Sequence, residues 1–274
     1  METAINFQIY GFVFFFTASV FCLLHIRILY IMVTNRIYRS RECYQLMIHV
    51  GVAQVLMSPG YIFIGISRLL SFEPSPFPLK LMVSAVRAEV FLSFVLALNR
   101  LKIIVGLRYP NCIHKILTTS GWLVLLIHLG FLFTPWCNYN IADYHYLTKF
   151  DYAMPYSALL QRVGSLYMLA MSGLALLVYV FIVAYLVRKR FSMFHINSTF
   201  SKEKSIFVYA FVRFISDASL ATIYHFGAPI LPKQLWVEAI LMYSYQFNNL
   251  FIPTVLYLVD SQKRVVTEEK DCGS

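Results

Sequence analysis

Arg87, Glu89, His128, Arg213 and Asp217 are ionisable side chains set inside long apolar runs. A charge at bilayer depth costs at least about 2.5–3.5 kcal/mol on insertion scales, so such groups turn toward one another or toward a polar cavity. Arg87 and Glu89, two residues apart, point to nearly opposite sides of a helix, whereas Arg213 and Asp217, four apart, can form an ion pair within one. Glu89 and Asp217 can equally pair with arginines of neighbouring helices, Asp217 with Arg87 in particular. Arg162, Asp217, Tyr224, His225, Glu238, Tyr243 and Tyr245 join Arg87, Glu89 and His128 as candidate lining of a cleft. Mostly aromatic cavities with a few directed polar groups suit small organic ligands; ordinary helix packing is the alternative for each residue. Arg27, Arg68 and Arg162 lie near the ends of apolar runs, from which long basic side chains can reach the interface.

A second chemistry to weigh is metal-assisted hydrolysis. Cys22 and His25 share one helix face at i, i+3, and His49 lies at a similar depth in the next run. A catalytic zinc takes three protein ligands and leaves one position open. There is no HxxxH or HExxH, and the remaining histidines are scattered, so no metal and no cofactor is expected and the chain is not read as an enzyme. The five cysteines, at 22, 43, 112, 137 and 272, contain no CxxC pair, which disfavours a zinc site or a disulfide framework.

These residues are carried by a chain that does not fit immersion in water. Of its 274 residues, 59% are apolar and only 13% charged, against about 25% charged in globular domains. The surplus apolar surface must face lipid. Disordered, collagen-like and disulfide-rich classes fall with the soluble one. Seven runs are long enough for a bilayer about 30 Å thick: about 7–33, 44–70, 79–101, 116–137, 156–187, 206–229 and 235–259. The fold class expected is an all-α membrane protein, a seven-transmembrane helix bundle over 1–265 with a short tail at 266–274. The first run lacks a basic leader and is read as a retained helix.

The formal charge of +10 lies between the apolar runs. The lipid bilayer is therefore the expected partner of the basic residues, and nucleic acid is not. One set of alternate loops, with the tail, holds fifteen Lys and Arg, and the opposite set holds Lys80, Lys149 and Lys233. Basic residues stay on the cytosolic side during insertion, which places the N-terminus outside and the C-terminus in the cytosol.

At the cytosolic end of the third run stands Leu98-Asn99-Arg100, followed by Lys102 and Arg108-Tyr109-Pro110. This element resembles the third-helix motif of rhodopsin-like receptors in the Asn-Arg form of nematode serpentine chemoreceptors. Glu42-Cys43-Tyr44-Gln45-Leu46-Met47 with Gly51-Val52-Ala53 is similar to that family's entry to helix 2, Trp122 fits helix 4, and Asn248-Asn249, Pro253 and Tyr257-Leu258 resemble its helix 7 ending. Class T is nearest. The resemblance implies a G-protein-coupled chemosensory receptor of the plasma membrane, in some members of a sensory cilium. It implies a small-molecule ligand in the outer half of the bundle and a heterotrimeric G protein as partner. Asn99, Arg100, Pro253 and Tyr257 would form the switch. Three departures stand out: no Cys near the outer end of the third run, three residues rather than two between Pro253 and Tyr257, and no Cys-Trp-x-Pro in the sixth. A transporter or ligand-gated channel, and the zinc hydrolase above, are the competing classes. A transporter would want interrupted helices at matching positions in two halves, and Pro59-Gly60 and Pro253 are single breaks.

Overall fold

The computed structural model describes residues 2–36, 42–70, 76–110, 112–141, 148–192, 215–220, 222–224 and 234–252. Five long helices account for most of them: α1 (Glu2–Thr34), α2 (Glu42–Leu70), α3 (Phe77–Val105), α4 (Cys112–Leu132) and α5 (Ser157–Ser192). Helical residues 215–220 (α6) and 222–224 fall in the sixth apolar run. The seventh holds α7 (Leu235–Gln246), which continues into a π-helical segment, Phe247–Phe251. Between α4 and α5 lie two short antiparallel strands, β1 (Tyr139–Ile141) and β2 (Thr148–Phe150). Among the described residues, five helices, α1 to α5, are long and apolar enough to cross a membrane.

Local sequence explains where the helices begin and end. Pro76 caps α3 and Pro78 follows in its first turn, where a missing N–H costs nothing because that donor has no helical partner. α3 ends at Gly106, whose φ of 76° is the left-handed conformation that glycine adopts without strain. The Gly106 and Leu107 N–H groups both donate to the Lys102 carbonyl at 3.0 Å, closing the last turn. α4 stops at Leu132, five residues before the end of the apolar run that the sequence suggests. Pro135 is the cause, since the residue before a proline is pushed out of the helical region. The Phe133 and Thr134 N–H groups turn back to Gly130 and Phe131 in a tightened final turn. Pro59, by contrast, lies inside α2 without ending it.

α3 is the centre of the assembly. It packs against α2 on one side and against α4 and α5 on the others, while α1 packs along α2. The π segment touches both α1 and α2, which closes the bundle on the far side of α1. Phe14, Met57, Tyr61, Ile64, Met82 and Leu125 make up much of the buried core. Outward faces of α1, α4 and α5 carry Phe12, Phe16, Leu23, Leu126, Leu166 and Phe181 exposed, as a surface in contact with lipid would. Hydroxyls within the helices close back on their own carbonyls one turn earlier: Ser67 on Phe63 at 2.8 Å, Thr118 on His114 at 2.7 Å.

Glycines set the closest approach between α1 and α2. A Cβ on Gly65 would lie 2.6 Å from the backbone nitrogen of Phe15 and 2.7 Å from its Cα, so the two helices touch backbone to backbone. Gly65→Ala must push them apart, at about 1–3 kcal/mol for overpacking. Thermal unfolding in detergent should show a lower midpoint for Gly65→Ala. Gly173→Ala, where an added Cβ meets nothing within 4 Å, should match the wild type or exceed it. Equal midpoints for both variants would contradict the α1–α2 contact.

Candidate functional site

α3 is covered by three helices, and Arg87 and Glu89 in its first half are buried among them. Glu89, 3% exposed, faces α2 and accepts hydrogen bonds from Gln54 Nε2 at 3.2 Å and from Ser93 Oγ at 3.1 Å. Arg87, 5% exposed, faces the other way, toward α5. Its Nη1 donates to the Val83 carbonyl at 2.7 Å, and the Tyr167 hydroxyl donates to its backbone carbonyl at 3.4 Å. The guanidinium rests on Gly164, where any Cβ would collide with Nη2 and Nε. His128 on α4 meets α3 at Ser84, whose Oγ lies 2.8 Å from His128 Nδ1 and 2.8 Å from the Lys80 carbonyl. A hydroxyl has one proton, so Ser84 donates to Lys80 and accepts from His128 when the imidazole carries its proton on Nδ1.

Beside Arg87 lies a cavity of about 80 Å³. Its walls come from α2 (Tyr61), α3 (Met82, Val83, Val86, Arg87), both strands, α5 (Met168), Tyr224, and α7 (Met242, Tyr245). The strands pair Tyr139 with Phe150 and Ile141 with Thr148, so alternation turns these four side chains to one face and Asn140 and Lys149 to the other. That face is inward: Thr148 is 1% exposed, and the Tyr139 and Phe150 rings meet edge to face at 4.9 Å. Tyr139 Oη and Thr148 Oγ1 are 2.6 Å apart, and the Tyr224 hydroxyl donates to the Thr148 carbonyl at 2.5 Å. Burial raises the Tyr139 phenol above its ordinary value of 10.0, against the pull of its hydrogen bonds to Thr148 and Tyr224 and of Arg87. The phenol therefore stays a neutral hydrogen-bonding group at the cavity wall.

At the other end of α3 the arrangement is different. Asn99 is 0% exposed, and among the described residues neither atom of its carboxamide has a hydrogen-bond partner. Arg100 is half-buried. Lys102 Nζ lies 3.8 Å from the Glu42 carboxylate and 4.7 Å above the Tyr109 ring, and Tyr109 Oη is 2.8 Å from His114 Nε2. Burial, and secondarily the Glu42 charge, raise the Tyr109 phenol above 10.0. This chain joins the start of α2, the end of α3 and the start of α4.

No family model matches the chain, and no curated protein matches it at a significant level. Its residues must therefore be read on their own geometry. Of the ligand-site candidates, the structure brings Arg87, Tyr224 and Tyr245 together around the cavity. Glu89 and His128 are buried against α2 and against Ser84 instead. Tyr243 packs edge-on against Phe14 at 5.2 Å, Glu238 sits half-buried in the first turn of α7, and Arg162 is exposed on α5. Arg68 is buried rather than extended to the interface. The expected pairing of Arg87 with Asp217 is not made: Asp217 accepts a hydrogen bond from Asn248 Nδ2, and no carboxylate of the described residues lies within ion-pair distance of Arg87. His225, Arg213, Pro253 and Tyr257 lie outside the described residues. Cys22, His25 and His49 do not converge: among the described residues no three such side chains could hold a metal ion. His49 Nδ1 instead accepts from Trp122 Nε1 at 3.2 Å. The described cysteines, 22, 43, 112 and 137, form no disulfide.

The sequence reading missed Tyr61, Tyr139, Thr148 and Gly164. Three residues each, the strands are too short for the alternation Tyr-Asn-Ile and Thr-Lys-Phe to mark them. Nothing in the sequence around Gly164, Gln161-Arg162-Val163-Gly164-Ser165, singles it out. Tyr61 matters because its hydroxyl accepts from Asn249 Nδ2 at 2.9 Å, tying the cavity wall to the π segment. Gln246 and Asn248 extend the same polar layer, to Thr17 Oγ1 at 2.9 Å and to Asp217. Tyr61→Phe leaves a buried amide short of an acceptor, a loss of about 1–3 kcal/mol. The thermal midpoint should fall for Tyr61→Phe and for Asn249→Leu singly, with the double variant less destabilised than their sum. Strict additivity would show that the two side chains do not interact.

Proposed function

We propose that the chain is a seven-span receptor of the plasma membrane, N-terminus outside, which binds a small molecule beneath the strands and signals to a heterotrimeric G protein. The observation that carries this reading is the cavity at one end of α3 and the Asn99-Arg100 element at the other. Thirteen residues separate Arg87 from Arg100, which is about 20 Å along one helix. The fifteen-to-three distribution of Lys and Arg favours an external cavity and a cytosolic Arg100. The five membrane-length helices coincide with five of the apolar runs, and helical residues 215–220, 222–224 and 235–251 fall in the remaining two. The likeness of the Asn-Arg, helix 2 and helix 7 elements to nematode serpentine chemoreceptors points the same way.

The mechanism needs two arrangements of the bundle and a ligand that binds one of them better, since equal affinity for both shifts nothing. Asn99 supplies a reason for the resting arrangement to be poised. A buried carboxamide with no partner costs about 1–3 kcal/mol, and a rearrangement that satisfies it recovers that amount. The test is expression with a promiscuous Gα subunit, a panel of small volatile and water-soluble compounds, and a C-terminal tag stained before and after permeabilisation. A compound should evoke a response that falls at least tenfold in Arg100→Ala at equal surface expression, with the tag accessible only after permeabilisation. A tag exposed on intact cells, or an unchanged response in the variant, would overturn the reading.

A further inference from the structure

We infer that the cavity beside Arg87 binds a small organic monocarboxylate with a short unbranched apolar tail. This inference deepens the receptor reading and rests on it for the identity of the ligand's role, though not for the existence of the site.

Arg87 is a buried cation whose charge is not matched by any carboxylate within ion-pair distance among the described residues. Its Nη1 bonds to a carbonyl of its own helix, and its Nε has no partner. A guanidinium is ionised at any physiological pH, so it cannot escape the cost of burial by losing its proton. The polar groups nearby are neutral: the Tyr139 and Tyr224 hydroxyls bond to Thr148 and carry no countercharge. What the site lacks is an anion, and the planar fork of a guanidinium matches a carboxylate with two parallel hydrogen bonds.

The lining narrows the choice. Arg87 is the sole charged side chain among the described cavity residues. With no carboxylate to receive an ammonium group, an amino acid would leave its own cation unpaired, and with no second cation a diacid or a phosphate ester would carry surplus negative charge. Beside the neutral tyrosines and Thr148, Met82, Val86, Met168 and Met242 give part of the wall an apolar, adaptable surface. The cavity's 80 Å³ corresponds to about five to eight water-sized groups at roughly 10–15 Å³ each. An inorganic halide would fill one such position and leave the apolar part empty. A carboxylate with about two to five further carbons fills it.

The probe is sodium butyrate on purified full-length protein in lipid nanodiscs, with butyramide, 1-butanol and sodium chloride at matched concentration and ionic strength. Butyrate should raise the thermal midpoint, and the three controls should not. Across the series from acetate to decanoate the effect should rise and then fall once the tail outgrows the cavity. Arg87→Gln should abolish the butyrate shift. Because that variant changes the charge of the fold, Gly164→Ala serves as the second: its methyl group displaces the guanidinium while keeping it, and should weaken butyrate at least tenfold. Equal shifts with butyrate and butyramide, a shift reproduced by chloride, or a butyrate shift that survives Arg87→Gln would each overturn the inference. In cells the two readings separate. Butyrate that binds but evokes no Gα signal removes the receptor reading and keeps the carboxylate site. A neutral compound that signals through Arg100 while butyrate neither binds nor signals keeps the receptor and removes the carboxylate.

Discussion

Satisfaction of polar groups without water is the constraint on which this structure depends. A helix in hydrocarbon closes its own backbone hydrogen bonds, but its polar side chains must find partners on neighbouring helices. In this bundle they do so in layers. Glu89 takes Gln54 and Ser93, His128 takes Ser84, His49 takes Trp122, and Gln246, Asn248 and Asn249 reach Thr17, Asp217 and Tyr61. Apart from the Ser93–Glu89 bond, which lies within α3, each ties two segments at one height and in one rotation, which apolar packing in lipid specifies only loosely. α2 and α3 contribute to most of these layers, and they are the most deeply buried of the membrane-length helices.

Against that background the exceptions carry meaning. Arg87 and Asn99 both lie on α3, and among the described residues one has no countercharge and the other no hydrogen bond. Buried polar groups in native proteins are nearly always partnered. Single unpartnered atoms also occur on Ser58 of α2 and His128 of α4, but Asn99 is left with neither carboxamide atom bonded and Arg87 with a full charge.

What the sequence disclosed follows the same physics. Lipid demands about twenty apolar residues per crossing, so the first five runs are visible in composition and recur as α1 to α5 within a few residues. Hydropathy does not see backbone chemistry, however. The fourth run continues apolar to Cys137, but Pro135 ends α4 at Leu132 and frees the chain for the strands. Those strands, three residues each, are too short for periodicity to announce them. Arg87, Tyr224 and Tyr245 were legible because an ionisable or phenolic group inside an apolar run has few places to go. Arg162 was misplaced because α5 is apolar on almost every side, so its sequence does not say which face turns inward. Gly164 was invisible for a related reason: a glycine's role is written in the residue opposite it.

The π segment belongs to the same polar layer. Gln246 just before it and Asn248 and Asn249 within it turn to three separate partners, Thr17, Asp217 and Tyr61. The turn over Phe247–Phe251 widens to i→i+5, and such bulges concentrate at functional positions. Its cost is a locally weaker hydrogen-bond ladder, offset here by three buried amide contacts. Because Tyr61 both accepts from Asn249 and lines the cavity, a molecule seated beside Arg87 would press on a wall that is one hydrogen bond away from this widened turn. Spatial adjacency alone is not coupling. It becomes coupling if the π turn changes geometry when the cavity is filled, because that turn is held at Asn249 by Tyr61 and at Asn248 by Asp217.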